Sequence, residues 1–206
     1  VKIALVDHSP FINYALTNLL TESFSSVAFI DCHTGEGDVF DELRECDLII
    51  MELIFRSCSG LEFIKSLRDH EIDIPILVFT MQNEEHFAER SLKAGATGYL
   101  MMSSAIEEIG YALKTVLNRR CYVSRNIAEK MADRLHGTGG NMPIERLSDR
   151  ELQVLLLLAS GISNSDIAQN LCLSPKTVST YKSRIMEKMD FHNDKEILLY
   201  FLNQKV

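Results

Sequence analysis

Nothing in the 206-residue sequence stays apolar for long enough to cross a bilayer. Towards the C-terminus the longest such run is Val154–Ala159, against the roughly 20 residues that a spanning helix needs. A secretory leader is missing as well: the opening VKIALVD reads as a buried strand, with no basic start or small-residue cleavage site ahead of it. Val1 where a Met would stand is read as a start just inside the natural one. Cysteine is sparse and badly placed for bridges. The five, at 32, 46, 58, 121 and 172, are odd in number, scattered and never in a CxxC pair, which argues against a disulfide framework and for reduced thiols. No internal repeat and no low-complexity segment appears. With 46% hydrophobic and 24% charged residues, what remains is a cytoplasmic globular chain. It has no membrane among its expected partners, and room for two small domains or one large one.

A surplus of positive charge, the usual mark of a nucleic-acid binder, is lacking too: the net charge is −8. The deficit is uneven. Residues 1–140 hold 13 Lys and Arg against 21 Asp and Glu, whereas residues 141–206 hold 8 of each. The acid therefore belongs to the first part, and a neutral second part can still present a local basic face. Such a face binds DNA only modestly, which favours a dimer on paired half-sites.

That face is carried by Leu147–Met189, LSDRELQVLLLLASGISNSDIAQNLCLSPKTVSTYKSRIMEKM. Ser148, with Glu151 three residues on, forms a capping box that starts a helix. Leu152, Leu155, Leu156 and Ala159 mark one buried face, and Gly161 ends the helix. Ser163 caps a short second helix over Asn164–Asn170, with Ile167, Ala168 and Leu171 inward. Ser174 caps a third, Pro175–Met189, whose first position tolerates Pro because no hydrogen bond is lost there. Val178, Ile185 and Met189 face in, leaving Lys176, Ser179, Thr180, Lys182, Ser183 and Arg184 outside. The result is a helix-turn-helix whose last helix suits a major groove. A plain bundle would explain the apolar face but not the residues outside it.

The spacing L-S-x-R-E-x-x-V-L, then Gly, then S-x-x-x-I-A-x-x-L-x-L-S-x-K-T-V-x-x-Y-x-x-x-I-x-x-K-M resembles the LuxR-type DNA-binding domain over roughly 60 residues. By that resemblance, base edges fall to Ser179, Thr180 and Ser183. Phosphates fall to Lys176, Lys182, Arg184 and Lys188, with Thr177 among the DNA-binding residues. Serines where a bidentate Arg or Lys would discriminate strongly imply weak direct readout.

Ahead of this domain, apolar runs alternate with amphipathic stretches. Strands are expected at Val1–Val6, Val27–Ile30, Leu48–Met51, Ile74–Phe79 and Gly98–Met101. Helices are expected at Pro10–Leu20, Val39–Leu43, Gly60–Arg68, Glu84–Lys93 and Ala105–Leu117. Five strand–helix repeats predict a parallel sheet covered on both faces, with the flavodoxin-like order among the few that right-handed crossovers leave. Ligands of such sheets bind at the C-terminal strand ends, where Asp7, His8, Glu52, Thr80 and Met102 would gather. VDHSPFINYAL, CDLIIMELIFRSCSGLEFIKSLR, PILVFT and KAGATGYLMMSSAIEEI are similar to the receiver domain of response regulators. Asp7, Pro10, Gly60, Thr80, Gly95, Ala96, Gly98 and Tyr99 fall in register. With the LuxR-type domain behind it, the chain resembles the NarL/FixJ family of bacterial transcription regulators. The fold this implies is an α/β flavodoxin-like (βα)5 receiver domain followed by an all-α helix-turn-helix domain.

Family receivers hold Mg²⁺ on a pair of acids after the first strand, accept phosphate on an Asp ending the third, and use a Lys after the fifth. This sequence departs at three of those places. The acid pair is Asp7-His8, and magnesium disfavours imidazole. Glu52 stands at the acceptor position, reaching one methylene further than an in-line attack tolerates. Met102 replaces the Lys. The expectation is a degenerate phosphorylation pocket with no metal, no cofactor and no catalytic residue, in a regulator that works independently of phosphorylation. Two readings of Glu52 stay open: it mimics a phosphoryl group, with Thr80 bonded to it, or it is solvated at the mouth of a vestigial pocket. His8 either titrates near neutral pH or is an ordinary surface histidine. Cys58 is either a redox handle or a bystander thiol.

Residues 1–120 are thus assigned to the receiver, 121–142 to a linker with an extra helix, and 143–206 to the DNA-binding domain. In the linker, Ser124 caps a helix with Ile127, Met131 and Leu135 apolar, and HGTGGNMP reads as a flexible tether. Asp194 is expected to cap a last helix with Ile197, Leu198, Phe201 and Leu202 as its apolar stripe; in the family this helix packs on the domain and can mediate dimerisation. The expected partners are double-stranded DNA and a second copy of the chain, with Ala105–Leu117 as one candidate dimer face. Two alternatives remain: a co-regulator that heterodimerises with another response regulator, and a regulator that is still phosphorylated. An enzyme-like phosphate sink would need the acid pair, the Asp and the Lys, so no enzyme is expected.

Overall fold

The computed structural model describes residues 1–6, 9–23, 28–32, 39–54, 59–136 and 143–202. They fall into two compact units, Val1–Phe55 with Gly60–Gly139, and Gly140–Val206. In the first, β1 (Lys2–Val6), β2 (Ala28–Cys32), β3 (Leu48–Met51), β4 (Ile76–Thr80) and β5 (Gly98–Met101) form one parallel sheet in the order β2-β1-β3-β4-β5. This is the flavodoxin-like arrangement. The strands alternate with α1 (Pro10–Ser23), α2 (Val39–Arg44), α3 (Gly60–Asp69), α4 (Glu84–Ala94) and α5 (Ile106–Leu117). Every residue of β3 and β4 is buried, as continuous apolar strands covered on both faces must be. On one face Ile3, Leu5, Ile50 and Leu77 pack with Leu16 and Leu20 of α1 and Leu113 and Val116 of α5. The fourth strand begins at Ile76 and not at Ile74. Pro75 has no N–H for the ladder and contributes only its carbonyl, which accepts from the Ile49 amide at 2.9 Å.

Beyond α5 the chain returns to the sheet. Tyr122 makes a single parallel bridge with Gly98: its carbonyl accepts from the Tyr99 amide at 2.9 Å, and its own amide donates to Thr97 at 3.1 Å. The helix expected in the linker follows as α6 (Arg125–Leu135), and the Ser124 side chain caps it by accepting from the Ile127 amide. It docks on α4. Ile127 is buried, Lys130 pairs with Glu85 and Arg134 with Glu89, and Asn126 reaches Glu84 at 3.4 Å. The first unit therefore extends past residue 120, because charge and burial bind α6 to α4. Of the expected tether HGTGGNMP, only His136 and Pro143 lie among the described residues.

The second unit has a short 3-10 turn, Pro143–Arg146, then α7 (Asp149–Ala159), α8 (Asn164–Asn170), α9 (Pro175–Met189) and α10 (Asp194–Leu202). Both halves of the Ser148–Glu151 capping box are present. After α7 the Ile162 amide donates to Leu157 at 3.2 Å and the Gly161 amide to Leu158 at 3.0 Å. That Schellman turn needs the left-handed φ of 77° that Gly161 adopts without strain. Packing differs from the expected stripe: Leu156 and Ala159 are only half-buried, whereas Gln153 and Val154 are buried. Both α9 and α10 rest on α7, which widens its covered face. At α10 the cap is Asn193, whose side chain accepts from the Lys195 amide at 3.1 Å, so Asp194 is the first helical residue. Ile197 is buried but Leu198 is exposed; the side chains of Phe201 and Leu202 lie outside the described residues. No described helix is long and apolar enough to cross a membrane.

Candidate nucleic-acid interface and receiver pocket

The C-terminal ends of β1, β3, β4 and β5 are tied together at the mouth of the sheet. Glu52, just after β3, donates its amide to Val6 at 3.3 Å, and Met102, just after β5, donates its own to Thr80 at 2.8 Å. Glu52 Oε1 accepts from the Leu53 amide at 2.6 Å and from the hydroxyl of Thr80, which is fully buried at the end of β4. The Thr80 oxygen in turn accepts from the Gln82 amide at 3.2 Å. Burial pushes the Glu52 carboxyl above its ordinary range, while bonds from Thr80 and from the Leu53, Ile54 and Met81 backbones oppose the shift. Tyr99 lies beneath, buried, with its hydroxyl donating to the Gln82 carbonyl at 2.8 Å. Burial first, then the charges of Glu52 and Glu84, raise that phenol well above its usual value. Met102 is half-buried and packs against the core beside α5. Glu52, Thr80 and Met102 are thus brought together as the strand ends require; Asp7, His8 and Cys58 lie outside the described residues. The Tyr99–Gln82 contact was not foreseen, since a buried tyrosine on a strand reads as core.

On α9 the sequence places an N-cap, a Pro at the first turn and an apolar stripe, and the helix follows. The Ser174 oxygen accepts from the Thr177 amide at 3.0 Å, and the Ser174 and Thr177 hydroxyls lie 2.8 Å apart. Val178, Ile185 and Met189 are buried against α7 and α8. Lys176, Ser179, Thr180, Ser183 and Arg184 are exposed; Thr177, Lys182 and Lys188 are half-buried. A shallow depression of about 330 Å³ is lined by Ser174, Lys176, Thr177, Thr180, Tyr181 and Arg184. Ser174, read from the sequence only as a cap, and Tyr181 are the members absent from the expected DNA-binding set; for Tyr181 its position one turn after Thr177 is the available signal. The exposed hydroxyls turn inward as donors: Ser179 to Pro175 O at 3.0 Å, Thr180 to Lys176 O at 3.0 Å and Ser183 to Ser179 O at 3.1 Å. Their lone pairs remain to accept from outside.

Two of the cations have partners within the unit. Lys182 Nζ lies 2.6 Å from Asp194 on α10. Lys188 Nζ lies 2.6 Å from Glu151, which is buried and also closes the α7 cap. Burial alone would raise the Glu151 carboxyl, but the Lys188 ammonium and the Ser148 amide and hydroxyl together hold it below the usual range.

Comparison with known proteins matches both units. The response regulator receiver domain matches residues 3–114, and the luxR family of bacterial regulatory proteins matches residues 145–201. The response regulator GacA of Pseudomonas aeruginosa is 32% identical over 97% of this chain and 94% of its own length. UvrY, a response regulator of Escherichia coli, is 27% identical over 96% of this chain and 91% of its own. Among solved structures, RcsB from Salmonella enterica serovar Typhimurium, bound to a promoter, superimposes with a TM-score of 0.71 at 23% identity, covering 97% of this chain and 96% of that one. A receiver fold ahead of a helix-turn-helix, both matched in sequence across nearly the whole length, makes this chain a member of the NarL/FixJ-type response regulators with a luxR-family C-terminal domain.

Proposed function

We propose that this chain is a cytoplasmic transcription regulator that binds double-stranded DNA through α9 as a homodimer, and that its receiver works without phosphorylation. The observation that carries the DNA reading is the depression on α9, where exposed Lys176 and Arg184 flank Thr177, Thr180 and Tyr181. Two cations bracketing hydroxyl acceptors suit phosphates on either side of a base edge that offers a donor. The RcsB relative solved on a promoter supports the same use of the fold.

Phosphorylation independence is supported by the pocket. Two carboxylates and an imidazole, from Asp7, Glu52 and His8, are a poor donor set for Mg²⁺, which wants hard oxygens in octahedral array. The Glu52 oxygen is already engaged by Leu53 and Thr80, and Met102 supplies a core contact where a cation would be needed. Those bonds to Glu52 also favour mimicry over a vestigial, solvated acid, since Thr80 holds its carboxylate as it would hold a phosphoryl oxygen.

A mobility-shift assay with the purified protein alone tests the reading. It should bind duplex DNA with an affinity that falls as salt rises. Lys176→Ala or Arg184→Ala should weaken all sequences about equally and flatten the salt slope by about one ion each. Acetyl phosphate with Mg²⁺ should leave both protein mass and binding unchanged. Stoichiometric phosphate on the protein overturns the receiver reading. Binding that appears only with a second regulator present replaces the homodimer by a co-regulator.

A further inference from the structure

The cations of α9 are treated in two ways. Lys176 and Arg184 line the depression and are exposed. Lys182 and Lys188 each meet an acid, but the two acids differ in kind. Glu151 is buried and tied into the α7 cap, so its pairing with Lys188 belongs to the fold. Asp194, 12 residues on from Lys182, is 70% exposed while the Lys182 side chain is 23% exposed. An acid in a first helical turn is favourable, yet Asn193 already caps α10, and no backbone amide depends on Asp194 for the cap. What its carboxylate does is sit 2.6 Å from a lysine ammonium on the helix that is to meet phosphates.

We infer that Asp194 sets the affinity of the DNA interface: its carboxylate occupies Lys182 in the free protein, and a DNA phosphate must compete with it for that ammonium. The inference rests on the DNA-binding reading above. Carboxylate and phosphate offer the same anionic oxygen acceptors, so the exchange of one for the other is chemically even. An exposed ion pair is worth little in water, whereas a phosphate contact also releases condensed counterions. The phosphate therefore wins the lysine, and Asp194 is left as a like charge beside the backbone. Lys182 contributes less than a free cation would, and the first residue of α10 keeps the interface weak.

Asp194→Asn removes the charge and keeps the shape. Its binding to a fluorescein-labelled duplex of random sequence, followed by anisotropy over a KCl series, should be roughly two- to fivefold tighter than that of the parent, with a slope steeper by about one ion. Lys182→Ala should bind more weakly with a shallower slope, and the double variant should return close to the parent. Asp194→Ser, which also suits a first turn, should behave as Asp194→Asn does and guards against a change in α10. Unchanged affinity and slope in both Asp194 variants, while Lys176→Ala still weakens binding, would place Asp194 off the path of the DNA and overturn this inference alone. A parent protein that binds no duplex overturns the reading beneath it as well.

Discussion

At Glu52 the carboxylate is held in place at a cost to the receiver. Burial raises its carboxyl above the usual 4.5, so the folded chain takes up a proton at Glu52 more readily than the unfolded chain does. Its contribution to stability is therefore greatest at and below the unfolded value and is lost as pH rises through the folded one. Glu52→Gln keeps the oxygen that Leu53 and Thr80 address and removes the charge. The variant should melt higher than the parent at neutral pH, and the difference should close as the pH is lowered towards 4.5. If Glu52 stands for a phosphoryl group, DNA binding or dimerisation should fall in this better-folded protein. A lower melting temperature at neutral pH would mean that the Thr80 and amide bonds to the charged form outweigh its burial.

Glu151 joins two elements at once, with one oxygen accepting from the Ser148 amide at 2.7 Å and from Lys188 at 2.6 Å. Its carboxyl is held below the usual 4.5, so the stability it provides is present above that value and is lost as pH falls through the folded one. Lys188→Ala leaves this buried acid with only its cap. The partial exposure of Lys188 softens the loss, which should be about 1–3 kcal/mol in urea unfolding. DNA binding should then fall only as far as the unit unfolds, with the salt slope preserved; intact stability with a flattened slope would return Lys188 to the phosphate contacts. The caps that start α7, α8 and α9 were legible because each is a local pattern of three or four residues: Ser148 with Glu151, Ser163, and Ser174 before Pro175. The parallel sheet was legible in the strand–helix rhythm, which left the observed order as one of a few, and the resemblance to receiver domains chose it. What stayed hidden spans long stretches of chain. Lys188 meets an acid 37 residues away and α6 finds α4 across more than 40, and no periodicity announces such pairs. At Asp194 two neighbouring residues both suit a cap, and only the geometry chooses Asn193.

For the molecule as a whole, the count of available cations argues for pairing. One copy exposes Lys176 and Arg184, while Lys182 lies against Asp194; on the DNA-binding reading a single module should therefore bind weakly, and two copies on paired half-sites should double the phosphate contacts. Sedimentation velocity at micromolar concentration should show a dimer, and Ile106 and Tyr111, both exposed on α5, mark one face it can use. A chain that stays monomeric even on DNA would sink the homodimer and leave the partner-dependent regulator. The Tyr122 bridge bears on a different matter, solubility. β5 is the last strand of the sheet, and a bare strand edge recruits strands from other molecules. Tyr122 occupies that flank through the Tyr99 amide and the Thr97 carbonyl, and α6 anchors the segment behind it. A receiver fragment stopped at Leu117 would present an open flank ready for aggregation, whereas one carried on to Leu135 brings its own cover.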